Sequence, residues 1–174
     1  MKRKRILKLP SLFDMVKQLF ASRKQKNYDI VSPVHASVAT ISYSIKEFVD
    51  TFVETYTSLA ENKGLVFVGM LTGKDVTIVG NCKCINEVVH KLLTNAIRNT
   101  SKGFVVLNIE YVNGKLVICV ADSGTGVTEG DVTGRDFSDV RQIIASLGGT
   151  IVVISDGGKG CKVIVKVPMK IAYV

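Results

Sequence analysis

Glu87, Lys91, Asn95 and Arg98 follow one another at intervals of four, four and three residues. At about 100° per residue they fall within an arc of about 80° on one side of a helix, so four polar groups of different chemistry share one stripe. Taken alone, such a stripe reads as a solvated helix face carrying a Glu-to-Lys pair four residues apart, and the next element weakens that reading. Further on, the apolar run Val117 to Ala121 ends in Asp122-Ser123-Gly124-Thr125-Gly126, an acid followed by glycines at alternating positions. Such a loop lets backbone approach a ligand closely and accepts positive φ, although acid-plus-glycine clusters also mark ordinary turns.

Those groups need a helix, a strand and a loop to hold them, and the periodicity of the chain supplies all three. Ile85, Val88, Val89, Leu92, Leu93 and Ala96 occupy the inward face of the same stretch, which predicts a helix over about 83–99. Before it, Ser44 and Glu47 form a capping box for a helix whose apolar face is Ile45, Phe48, Val49, Phe52, Val53, Tyr56, Leu59 and Ala60, stopped by Gly64. Strands are expected at about 37–43, 65–71 and 76–80. Asn113-Gly114 between two apolar runs predicts a hairpin of strands 104–112 and 115–121. A third helix over about 137–147 buries Val140, Ile143, Ile144 and Leu147 and ends at Gly148-Gly149. Closing strands at 150–155 and 161–167 flank the turn Asp156-Gly157-Gly158-Lys159-Gly160. Three helices and a mixed sheet with hairpin-connected later strands give an α+β fold, helices packed on one face.

In order and spacing, the polar helix, hairpin, acid-glycine loop, third helix, Gly-Gly and last hairpin resemble the ATP-binding catalytic domain of sensor histidine kinases over about residues 40–168. The segment INEVVHKLLTNAIRNTSKG is similar to that family's N box and VADSGTGV to its first glycine box. DVRQIIASLGGTIVVISDGGKGCKVIVKVP is similar to the stretch after its second glycine box. The family shares a left-handed two-layer α/β sandwich, the Bergerat type, with gyrase, the Hsp90 chaperones and the mismatch-repair ATPases, and the resemblance implies that fold. It implies ATP and Mg²⁺ as ligands, with Asn95 coordinating the Mg²⁺ that bridges the phosphates and Arg98 offering them a cation. Glu87 stands where the family has a Glu or Gln near the reacting phosphate. Asp122 would accept a hydrogen bond from the adenine amino group, Gly124 and Gly126 would line the base, and Gly134 belongs to the second glycine box. Phosphoryl transfer asks mainly for positioning and for cations near developing charge, which these residue types suit. The implied activity passes the γ-phosphoryl group to a histidine on a dimerisation domain not contained in this sequence, with a response regulator downstream.

Departures from the family pattern refine the expectation. Lys91 stands where the N box carries another asparagine, a cation that still suits phosphate, and Asn99 replaces an aromatic. Only residues 128–133 separate Val127 from Gly134, where the family has a longer connection, and Asp136 takes a glycine position. Asp136 reads as the N-cap of the third helix in preference to an obstacle to phosphates at that helix end. Reduced ATP affinity is expected. His35 lacks the Glu, Arg and Pro of a phosphoacceptor motif and His90 sits on a packed helix, so both read as structural.

Charge divides the chain. Residues 1–26 hold nine Lys/Arg against one acid, Asp14, so the net charge of +8 lies there and the remainder is neutral. A nucleic-acid-binding body is not expected from a neutral remainder. The basic arm fits a solvated helix end or attraction to anionic lipid on the cytoplasmic side of a membrane. Leu12, Met15, Val16, Leu19 and Phe20 lie at helical spacing over 11–27, as at the end of a dimerisation helix, and a linker with Pro33 follows. The expected division is a basic helical extension with linker, 1–35, and an ATP-binding domain, 36–170. No apolar run approaches the roughly 20 residues of a membrane-spanning helix. The four cysteines, at 82, 84, 119 and 161, lack metal-knuckle spacing, and Cys119 and Cys161 read as core. A reduced, cytoplasmic location is expected, with room for a membrane anchor in a full-length protein. Two alternatives stand beside the kinase reading: a pseudokinase interaction module with weak or no nucleotide binding, and an anti-sigma-factor-type serine kinase.

Overall fold

The computed structural model describes residues 26–27, 41–127, 135–155 and 158–172, with all their side chains except those of 26, 27, 135 and 136. The helix expected before residue 26, the linker with His35, the start of the strand at 37–43, the connection 128–133 with Gly134, the Asp136 side chain and Asp156-Gly157 lie outside the described residues. In chain order the elements are β1 (Lys26–Asn27), β2 (Ile41–Ser44), α1 (Ile45–Glu61), β3 (Leu65–Thr72), β4 (Thr77–Gly80) and α2 (Cys82–Asn99). They continue with β5 (Gly103–Val112), β6 (Lys115–Asp122), α3 (Arg135–Ser146), β7 (Thr150–Ser155), β8 (Cys161–Pro168) and β9 (Lys170–Ile171).

The helices start and stop where local chemistry requires. Ser44 Oγ accepts from the Glu47 amide at 3.2 Å, and Asp75 from the β3–β4 loop accepts from the Lys46 amide at 3.0 Å, so two of the first orphan donors of α1 are satisfied. Asn81 caps α2 by accepting from the Cys84 amide at 3.1 Å. At the other end of α2, the Lys63 ammonium donates to the Ile97 and Arg98 carbonyls at 2.6 and 2.9 Å, a cation at the negative end of a helix. Helix α3 begins at Arg135, which places Asp136 inside its first turn and corrects the expectation of a cap there.

The main sheet runs β1-β7-β8-β6-β5-β3, antiparallel throughout except for the parallel pair β3–β5. Its alternation sends Val105, Leu107 and Ile109, Leu116, Ile118 and Val120, and Val163, Val165 and Val167 to one side, where they meet the apolar faces of all three helices in one buried core. This is the expected two-layer arrangement. The inward face of α2 is the one the periodicity predicts, Ile85 to Ala96. On α1 the prediction overreaches by one residue: Leu59 is 51% exposed, because it lies at the edge of the apolar stripe near the helix end. Asn113 and Gly114 both take positive φ, 50° and 73°, as a two-residue hairpin demands.

Two features depart from expectation. Lys26 and Asn27, expected at the end of a helix, pair antiparallel with Val153 and Val152 as an edge strand. The strands β2, β4 and β9 form a separate three-stranded sheet, anchored by the Met169 amide donating to the Gly114 carbonyl at 3.0 Å. Strands of two to four residues carry too little alternation to declare their partners in sequence.

Candidate functional site

Helix α2 buries its apolar face and turns its polar stripe outward. His90, Lys91, Thr94, Asn95 and Arg98 line a groove of about 250 Å³. Lys91 Nζ lies 3.2 Å from Asp139 Oδ2 on α3 and 3.8 Å from Glu87 Oε1, one turn earlier on its own helix. Behind the groove the Tyr56 hydroxyl of α1 meets His90 Nδ1 at 2.8 Å and Thr94 Oγ1 at 3.2 Å, which fixes the roll of α2 on α1. Burial pushes the Tyr56 phenol above its ordinary pKa. Glu87 stands apart: its side chain is 55% exposed and lines neither this groove nor the cavity described next.

Strand β6 ends at Asp122, whose carboxylate is buried among apolar residues and lines a second, smaller cavity with Leu92, Asn95, Asn99, Val127, Phe137 and Cys161. One carboxylate oxygen accepts from the Gly124 amide at 2.8 Å, which curls the loop back on the strand. Gly124 makes the close approach expected of it, and the neighbour is its own chain: a Cβ there would fall on the Asn99 carbonyl at the end of α2. Thr125 completes the clasp by donating its amide to that carbonyl at 3.3 Å. Gly126 takes φ 76°, the left-handed region that glycine enters without cost. The β7–β8 turn closes the loop from the other side, with the Gly158 amide donating to the Thr125 carbonyl at 2.8 Å and Ser155 Oγ accepting from the Val127 amide at 2.9 Å.

Asn95 lines both spaces, so one carboxamide is shared by a cavity with a buried carboxylate and a groove bearing Lys91 and Arg98. Asp122 and Asn95 line the cavity and Asn95, Lys91 and Arg98 the groove; Gly124 is held to the Asp122 carboxylate, Gly124 and Gly126 line neither space, and Gly134 lies outside the described residues. The cavity beside Asp122 is tight: its free volume is about 20 Å³, room for about one water. Cys161 and Phe137 were not singled out as site residues. Cys161 reaches the cavity because β8 pairs Cys161 with Asp122, a position that follows once the last hairpin is laid against β6. Phe137 opens the apolar face of α3 three residues before Val140, and that spacing is the signal that identifies it.

Comparison with known proteins places this geometry. The sequence profile of the family described as histidine kinase-, DNA gyrase B- and HSP90-like ATPases matches residues 81–171, just over half of the chain. The autoinducer 2 sensor kinase/phosphatase LuxQ of Vibrio cholerae is 26% identical over 154 residues, covering 74% of this chain and 18% of LuxQ. The sensor histidine kinase RcsC of Escherichia coli is 24% identical over 148 residues, covering 73% of this chain and 16% of RcsC. The chain therefore spans less than a fifth of the length of these relatives. Among solved structures, full-length ShkA in complex with AMPPNP superposes with a TM-score of 0.73 at 20% identity, over 80% of this chain and 33% of ShkA. The catalytic domain of histidine kinase ThkA gives 0.63 at 19% identity, over 75% of this chain and 97% of that domain. The chain belongs to the family of histidine kinase-, DNA gyrase B- and HSP90-like ATPases, as an ATP-binding domain of the sensor histidine kinase kind.

Proposed function

We propose that the chain binds Mg-ATP with its base against Asp122 and its phosphates along the α2 stripe, and presents the γ-phosphoryl group to a histidine on a dimerisation domain of the full-length protein. The observation that carries this reading is the position of Asn95, shared by the carboxylate cavity and the basic groove. A nucleotide has the matching polarity, a flat base with an amino donor at one end and a polyanion at the other. Asp122 accepts from the adenine amino group while Gly124 and Gly126 flank the base, and Arg98 and Lys91 offset phosphate charge. Gly134 belongs to the same phosphate end, and Glu87, one turn from Lys91, faces the incoming histidine domain. The ion would be held chiefly by phosphate oxygens, with Asn95 as the protein's oxygen donor. Bound there, Mg²⁺ supplies charge neutralisation for those oxygens.

In the full-length protein, residues 1–35 act as an extension that ends a dimerisation helix, residues 36–170 as the nucleotide-binding unit, and a response regulator receives the phosphoryl group. The site faces the cytoplasm, and the basic arm, +8 over residues 1–26, contacts anionic lipid.

One observation favours a second reading. The cavity beside Asp122 is small, about 20 Å³, which suits a pseudokinase module that keeps the fold without tight nucleotide binding. Calorimetric titration with a non-hydrolysable ATP analogue, with and without Mg²⁺, separates the two. The kinase reading expects binding that weakens at least tenfold in Asp122→Asn and loses its Mg²⁺ dependence in Asn95→Ala. No heat at millimolar nucleotide from folded protein would establish the interaction module instead.

A further inference from the structure

Lys91 is the one position in the stripe where a cation stands in place of the family's asparagine, and its ammonium is already engaged. Two carboxylates share it: Glu87 one turn back on α2, at 3.8 Å, and Asp139 across on α3, at 3.2 Å. The second contact joins the two helices that wall the site. Helix α3 thereby brings Phe137 to the cavity beside Asp122 and Asp139 to the lysine of the groove within three consecutive residues.

We propose that Asp139 is a positioning residue for nucleotide: it holds the Lys91 ammonium beside the groove and competes with a polyphosphate for it. Nucleotide binding and the α2–α3 ion pair are then mutually exclusive states of one cation. This rests on the nucleotide reading of the groove given above. The pair is suited to exchange, because both side chains are partly exposed, 32% for Lys91 and 47% for Asp139, and ion pairs so placed are weak. A triphosphate brings several charges and strong acceptor oxygens to the same ammonium. The pair also sets the resting position of Lys91, since without Asp139 the flexible lysine stem has, among the described residues, only Glu87 as an ion-pair partner. Glu87 and Asp139 both approach the one ammonium, so the chain holds a built-in competitor for its own phosphate subsite.

The experiment is a double-mutant cycle on nucleotide affinity in the full chain, with adenosine as the uncharged control. Asp139→Asn should tighten ATP-analogue binding by about two- to fivefold and leave adenosine binding unchanged. In a Lys91→Ala background the same substitution should change ATP-analogue affinity by less than about 1.5-fold, since the cation being contested is gone. An equal gain in both backgrounds would mean that Asp139 acts only as a distant negative charge and would overturn the positioning role. No gain in the wild-type background, with the wild-type chain binding nucleotide, overturns the competition while leaving the nucleotide reading intact. Absence of nucleotide binding by the wild-type chain removes both. Thermal unfolding of each variant checks that the fold is retained.

Discussion

Gly124 shows how tightly the residues of the site are tied to one another. Its amide goes to the Asp122 carboxylate, the space above its Cα is filled by the Asn99 carbonyl, and Thr100 Oγ1 stands 2.9 Å from where a Cβ would be. The acid-glycine loop is thus clasped to the end of α2, which fixes Asp122 relative to Asn95. Gly124→Ala should destabilise the fold by about 1–3 kcal/mol, because the obstructing atoms belong to backbone and cannot swing away. Nucleotide affinity should fall with it, whereas Thr125→Ala, at an exposed side chain, should stay within about 0.5 kcal/mol. Chemical denaturation of the two variants is the measurement, and equal stabilities would show that the clasp is loose. At this scale type and spacing, joined to the family resemblance, single out Asp122, Asn95 and Arg98 in the sequence as the residues expected to meet nucleotide. The sequence could not reveal that Lys91 pairs with Asp139, because 48 residues separate them and their meeting depends on how α3 docks on α2.

At the scale of elements, the α1–α2 contact is a polar seam in an otherwise apolar core. Tyr56 packs against Phe52 and His90, and its hydroxyl also donates to the His90 carbonyl at 3.2 Å. Burial raises the phenols of Tyr56 and Tyr43 and the thiols of Cys119 and Cys82 above their ordinary values of 10.0 and 9.0. Each group is therefore easier to deprotonate in the unfolded chain. Where the unfolded state binds fewer protons, stability falls as pH rises, so this contribution is fully present below about pH 9 and is lost above it. Unfolding free energy should stay level on this account from pH 7 to about 9 and then decline. Tyr56→Phe should flatten part of that decline while costing about 0.5–1.5 kcal/mol at neutral pH, measured by denaturant titration across the range. An unchanged alkaline slope in Tyr56→Phe would show that the tyrosine takes no part in it. Elements of this length are legible in sequence: α2 has five turns of consistent apolar spacing, and the β5–β6 hairpin carries its own turn signal. The small sheet and β1 are not, since two to four residues encode propensity but no partner.

The whole molecule is an electrically neutral body with a basic arm, and the two meet at a definite place. Residues 1–26 carry the full +8, and the last of them, Lys26, lies in the strand that pairs with β7 at the edge of the main sheet. Charge placed at one end of a chain attracts anionic surfaces through that end, with about 1 kcal/mol per Lys or Arg near a membrane rich in acidic lipid. No helix among the described residues is long and apolar enough to cross a bilayer, and an association of residues 1–26 with lipid would rest on their charge. Vesicles containing phosphatidylserine should bind the protein at about 0.1 M salt and release it near 1 M, where the Debye length contracts from about 10 to about 3 Å. Replacing Lys2, Arg3, Lys4, Arg5 and Lys8 with glutamine should abolish most of this binding and leave nucleotide titration unchanged, because none of the five is among the residues expected to meet nucleotide. Equal binding to uncharged phosphatidylcholine vesicles, or binding by the glutamine variant at the wild-type level, would rule out the arm as an electrostatic anchor. Loss of nucleotide binding along with lipid binding would instead show that the arm, entering the sheet through β1, acts on the site.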